Sequence, residues 1–329
     1  MKQRLNLLTV AITPLLLVGS IEAEDRVAFL VGGDPQYLAE KSASPTRLDP
    51  FSEQAAVRMV QLLKQFPGRD IPQQFGGGNV SSEIRGLIVT GDLIDSADKN
   101  GGSYPAMQRF EWERFISDFG VGPDDGRIPF PAYELHGNHD GPQGDTFVID
   151  EIIQRNKQRM GIHNEGNGLH YSWDWEDVHL VNLGIVIGQS GPGFQRRRYA
   201  PMDSLEFLKK DLQRMGDPTR PVIITQHIDL ARYSVPYTED DEKFLNMEWH
   251  PQDVKAFHQK VAPFHVIANF FGHTHRRDIF GWNGTPKRQP FSRADVDAFN
   301  GDNSSHFHGG KQAFLYVEVS ETDLVVREV

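Results

Sequence analysis

The chain contains no cysteine. That excludes disulfide staples, thiolate metal ligands, a cysteine nucleophile and a lipid-modified N-terminal cysteine. It leaves the compartment open, because exported proteins need not use disulfides. Basic charge is also scarce: 34 Lys plus Arg stand against 45 Asp plus Glu, a formal charge of −11. Broad nucleic-acid binding needs a basic footprint, so nucleic acid is not expected as a partner, although a local basic pocket for an anion remains open. Internal repeats and long low-complexity tracts are missing too, and past the N-terminus no apolar run is long enough to cross a membrane.

What is present suits a globular protein. The 329 residues are 38% hydrophobic and 24% charged, enough to bury a core in one large domain or two small ones. Lys2 and Arg4 precede an apolar run from Leu5 to Val18, followed by Gly19, Ser20 and Ala23 and then by Glu24, Asp25 and Arg26. This order of charge, apolar core and small residues reads as a secretory signal peptide over residues 1–23, cleaved near Ala23. The run is shorter than a membrane span wants, and Pro14 interrupts it. The expectation is a periplasmic or secreted mature chain, residues 24–329, with no stable membrane span.

Periodicity predicts buried strands at 27–31, 86–90, 131–135, 222–225 and 264–271, each a short apolar run. Helices are expected at 52–66 with Ser52 as cap, at 106–119, at 147–160, at 203–215 with Asp203 as cap, and at 252–260. Residues 169–175 and 178–183, separated by Glu176 and Asp177, read as an antiparallel hairpin, and 279–282, 313–319 and 324–329 as closing strands. Strands alternate with helices early and hairpins dominate late, so the order predicts one α/β layered domain with a mixed sheet system.

Metal-ligand residue types cluster at the C-terminal ends of these strands in five places: Asp34-Pro-Gln36, Gly91-Asp92-Leu-Ile-Asp95, Gly137-Asn138-His139-Asp140, His227 and Gly272-His273-Thr-His275. Strand ends of layered α/β proteins gather ligand-binding residues into one crevice, and the glycines let the backbone turn sharply there. Carboxylates and imidazoles suit Mn, Fe or Zn. Two histidines two residues apart share a face and can bind one ion or two adjacent ones. Each block alone reads more simply as a turn or a packing residue; the concurrence of five carries the inference. Asp140 is expected to hydrogen-bond within its loop. Arg196, Arg197 and Arg198 offer guanidinium groups to a phosphate, with Arg197 and Arg198 as candidate substrate-binding residues, although a solvated charge run is the simpler reading. Tyr199, Tyr233, Tyr237, His306 and His308 are weaker candidates for a pocket wall.

From Asp34 to His275 these blocks resemble the motifs of the calcineurin-like metallophosphoesterases. The resemblance implies two packed mixed β-sheets flanked by helices, a four-layer α/β/β/α fold, with two divalent metal ions (Mn, Fe or Zn) at one edge. It implies that Asp34 and His275 hold the first ion, that Asn138, His227 and His273 hold the second, and that Asp92 bridges them. It also implies that His139 binds no metal but acts as general acid on the leaving group, oriented by the acidic residue Asp95. The implied activity is hydrolysis of a small phosphate ester by activated water, a monoester in preference to a diester such as a nucleotide or phospholipid head group.

Gln36 departs from the pattern, standing where most of the family has a histidine. An amide oxygen is a neutral, weaker donor than imidazole. Gln36 either ligates, or sits beside the site and leaves water as ligand, or marks loss of the first ion; ligation is the expectation. A non-catalytic metal-binding descendant of the family is the competing reading, against which His139 stands. The sequence gives no oligomeric state.

Overall fold

The computed structural model describes residues 26–190, 198–232, 248–285, 289–290, 296–301, 304–305, 312–320 and 323–329. The leader, Arg196, Arg197, Tyr233, Tyr237, His306 and His308 lie outside the described residues.

Successive side chains of a strand point to opposite faces, and β1 (Val27–Gly32) uses both. Ala28 and Leu30 join the core formed with α1 (Pro50–Gln65), α2 (Tyr104–Asp118) and α3 (Phe147–Gln158) through Leu63, Phe115 and Ile149. Val27, Phe29 and Val31 join a second core with Tyr171, Trp173, Leu180 and Phe270. β7 (Val222–Thr225) mirrors this: Ile223 meets that same second core, while Val222 and Ile224 pack with α4 (Ser204–Met215) and α5 (Pro251–Val261) through Leu208 and Phe257. The layers are therefore helix, sheet, sheet, helix, as expected.

With β2 (Leu87–Val89), β3 (Ala132–Glu134), β11 (Leu315–Val319) and β12 (Leu324–Glu328), β1 makes a five-stranded sheet in the order β12-β11-β1-β2-β3. The seven-stranded sheet runs β4-β5-β6-β7-β8-β10-β9. Its remaining strands are β4 (Ile162–His163), β5 (Tyr171–Trp175), β6 (Val178–Asn182), β8 (Val266–Phe271), β9 (Ile279–Trp282) and β10 (Val296–Asn300). β1, β2 and β3 are mutually parallel, as are β6, β7 and β8. Parallel strands put their C-terminal ends along one edge, which is what positions the site.

Two caps differ from expectation. Asp49 caps α1 by accepting from Phe51 N, while Ser52 lies inside the helix and its Oγ accepts from Leu38 N at 3.0 Å. Asp203 occupies the N-cap position of α4, but its side chain makes no capping bond; its Oδ1 accepts from Ser190 N at 2.8 Å instead. β4 and β10 were not legible as strands, the first being two residues long and the second carrying Asp297 between its apolar positions.

A buried ion cluster fastens α3 beside β3. Glu134 accepts from Arg155 Nε at 2.8 Å and pairs with the Arg159 guanidinium, and Arg155 also donates to the Phe119 carbonyl at 2.7 Å. Burial raises the Glu134 carboxyl, but the two guanidinium charges outweigh it and hold it at about 2.

Candidate metal centre

The five loops are stitched together by bonds from side chain to backbone. Asp34, following β1, accepts from His273 N with both carboxylate oxygens, at 2.8 and 2.9 Å. Asp92, following β2, accepts from His139 N at 2.8 Å, and its own carbonyl accepts from Gln36 N at 2.8 Å. Asp140 bonds within its loop, to Gly137 N at 2.7 Å, and also across to Leu93 N at 2.9 Å and Ile94 N at 3.1 Å. Gly137 is required by space: a Cβ there would lie 2.2 Å from Asp92 Oδ1 and 2.3 Å from Asp92 N. Asp34, Gln36, Asp92, His273 and His275 all have positive φ, between 38° and 73°. Left-handed backbone at non-glycine residues costs of order 1 kcal/mol each, and persists where the surroundings over-determine it.

Two sets of three donors result. Asp92, His227 and His273 offer ligand atoms within 4.8 Å of one another, and so do Asp34, Asp92 and His275. Asp92 belongs to both sets. Asn138 Oδ1 adds to the first, 3.0 Å from His227 Nε2, which also faces Asp92 Oδ2 at 3.3 Å.

These residues fit a pair of cations, on three observations. First, His227 Nδ1 donates to the Thr90 carbonyl at 2.8 Å, so Nε2 is the nitrogen aimed at the oxygens of Asn138 and Asp92, and either a proton or a cation has to lie between them. A cation resolves that convergence. Second, Gln36 is buried and its Oε1 has no partner; an orphaned amide oxygen costs about 1–3 kcal/mol. Third, Asp34 and Asp92 are both buried and close together. Burial drives the Asp34 carboxyl well above the usual range; the His227 charge lowers it, while the Asp92 charge raises it further. For Asp92, burial is outweighed by the charges of His227 and His139, and its carboxyl is lowered. Two buried carboxylates of like charge need a countercharge to ionise together.

His139 stands beside this cluster, a quarter exposed. Its Nδ1 lies 3.0 Å from the Asp95 carbonyl and 3.5 Å from the Asp98 carboxylate. The Asp95 carboxylate is instead held by Lys99 Nζ at 2.9 Å. The acid beside the ring is therefore Asp98, and Asp95 meets His139 through its main chain. Burial lowers the imidazole, but the bond to Asp98 and the charges of Asp92, Asp98 and Asp95 outweigh it and raise it to about 10.

Arg198 is half exposed, lies 5.1 Å over the Tyr199 ring and reaches to 3.6 Å from Glu248. Glu248 itself is buried, 3.0 Å from His273 Nε2, and sequence reasoning missed it. Nothing in the local sequence Asn246-Met-Glu248-Trp-His250 marks a site. Asp98 was missed because Asp95 has the motif spacing. Asn300 at the end of β10 was missed with its strand; its Nδ2 donates to the Gly272 carbonyl at 2.9 Å and Thr274 Oγ1 at 2.8 Å, bracing the His273–His275 turn.

No family model matches the sequence, and no curated protein does. Among solved structures, the chain is similar to a dimetal phosphatase from Danio rerio, with a TM-score of 0.51 and 12% identity over 92% of this chain and 95% of that one. It is also similar to GAP50, the anchor in the inner membrane complex of Plasmodium, with a TM-score of 0.45 and 12% identity over 92% and 84% of the two chains. PhoD gives a TM-score of 0.44 and 9% identity over 92% and 68%. The sheet order and helical layers, superposed on the fish phosphatase along nearly the whole of both chains, show that this chain has the fold of the calcineurin-like metallophosphoesterases.

Proposed function

We propose that the protein is a dinuclear-metal phosphoesterase acting on a small phosphate monoester. One observation carries this reading: the Asp92 carboxylate belongs to both donor sets, so two neighbouring ions would share it. Asp34, Gln36 and His275 would hold the first ion, and Asn138, His227 and His273 the second. Bound there, Mn, Fe or Zn supplies Lewis-acid polarisation of the phosphoryl group and a water nucleophile usable at neutral pH.

The chain's own residues do the rest. His139 is protonated, faces the edge of the cluster and gives its proton to the departing ester oxygen. Asp98 and the Asp95 carbonyl fix the ring through Nδ1, which leaves Nε2 for the substrate. Arg198, half exposed and 3.6 Å from Glu248, takes a non-bridging phosphoryl oxygen or a second anionic group of the substrate in this proposal, and Arg197, its neighbour in sequence, shares that role. A monoester is favoured over a diester because the acidic surface offers no nucleic-acid track.

Turnover of p-nitrophenyl phosphate and of its bis ester by the Mn-loaded protein tests the reading. Faster release from the monoester is expected, lost on chelation and reduced 10²–10⁴-fold by His139→Ala. Tight metal binding with turnover of neither ester would instead establish the second reading, a non-catalytic metal-binding relative, which Gln36 alone favours. The leader supports a further proposal, that the chain is exported and its mature form starts after Ala23. N-terminal sequencing of protein recovered from a secretion-competent host checks it: an intact Met1 would contradict it.

A further inference from the structure

The buried carboxylate of Glu248 has no role in the reading above, yet it sits against one of its ligands. Glu248 Oε1 lies 3.0 Å from His273 Nε2. The other side of the carboxylate is gripped by Arg232, whose Nε pairs with Oε2 and whose Nη2 donates to Oε1 at 3.1 Å. Arg198 Nη1 approaches the same Oε1 to 3.6 Å. A carboxylate accepts hydrogen bonds and does not donate them, so Nε2 of His273 carries the proton. Nδ1 is then the nitrogen left with a free lone pair, and His273 is one of the three donors of the Asp92–His227 set.

Resting on the dinuclear reading, we propose that Glu248 is a positioning residue for the second ion: it fixes His273 as the Nε2–H tautomer, sets the ring's orientation and strengthens Nδ1 as a donor. Arg232 holds Glu248 in place from behind. Arg198, the candidate for holding an anionic substrate, approaches the same carboxylate to 3.6 Å. Outer carboxylates of this kind act on a metal through the imidazole between them.

The test uses the full mature chain with Zn(II) alone as probe, titrated by chelator competition, together with long-range proton–nitrogen NMR of the histidine rings in the metal-free protein. In the wild type His273 is expected to show the Nε2–H pattern, and two ions to bind. Glu248→Ala should weaken the second ion 10–100-fold, leave the first unchanged and convert His273 to a mixture of tautomers. Glu248→Gln preserves shape and an acceptor oxygen but not the charge; it keeps the fold if the alanine variant does not, and should weaken the second ion about tenfold. Unchanged second-ion affinity in Glu248→Gln, or an Nδ1–H tautomer in the wild type, would overturn the proposal while leaving the phosphoesterase reading intact. A wild type that binds no second ion would overturn both.

Discussion

In the proposed dinuclear centre, Gln36 is the residue on which the first ion's chemistry turns. Its carbonyl oxygen is buried without a partner, on left-handed backbone beside the Asp92 turn. An imidazole is a stronger donor to Zn and Fe than an amide. Gln36→His should therefore tighten the first ion, by about 1–2 kcal/mol if one good ligand bond is gained; metal competition measures it, and unchanged affinity would count against Gln36 as a ligand. Asp98 gives a second residue-scale prediction. Asp98→Asn should lower turnover about tenfold or more and shift the alkaline limb of the pH–rate profile downward, because the carboxylate that raises His139 is gone. Asp95→Asn should do less, since that carboxylate serves Lys99. The donor types and their order along the chain were readable in the sequence, because a ligand's identity is a property of one residue. The partner of His139 was not, because a main-chain carbonyl and a side chain three residues further on compete for the same ring, and only the folded structure decides between them.

At the scale of elements, the β3–α3 unit carries a prediction on pH. Glu134 holds its proton in the unfolded chain near 4.5 and in the folded one near 2. A depressed carboxyl stabilises the fold fully above the unfolded value, and that stability is lost as pH falls through the folded one. The window is therefore about pH 4.5 down to pH 2, and the contribution is about 3 kcal/mol. Urea unfolding across that range should show a pH slope that Glu134→Gln removes; an equal slope in the variant would place the effect elsewhere. Helices and buried strands were legible from apolar spacing because one face of each is fixed by a core. Caps were less so: Asp49 and Ser52 are both good capping residues three positions apart, and the bond from Leu38 N to Ser52 Oγ, made by a distant segment, decides which one caps. β10 failed for a similar reason, since its pairing with β8 and β9 fixes it more than its own sequence does.

For the molecule as a whole, the inter-sheet core holds the two halves of the site in register. β1 to β3 deliver Asp34, Gln36, Asp92, Asn138 and His139 from one sheet; β7 and β8 deliver His227, His273 and His275 from the other. Phe29 is fully buried between the sheets, 5.3 Å from the Trp175 ring and 6.2 Å from Phe270. Phe29→Ala should cost about 3–5 kcal/mol in unfolding free energy, and calorimetry of the folded protein checks it; a loss under about 1 kcal/mol would mean the sheets are not joined there. The layered class was readable from element order, and the convergence of loops from the two sheets was an inference from residue types that the fold expresses in Asp92, common to both donor sets. Electron paramagnetic resonance of the Mn(II)-loaded chain tests that sharing most directly. Two Mn(II) per chain with an exchange-coupled spectrum, abolished in Asp92→Asn, is the predicted result. A spectrum of isolated ions, or a single Mn(II) per chain at saturation, would contradict it.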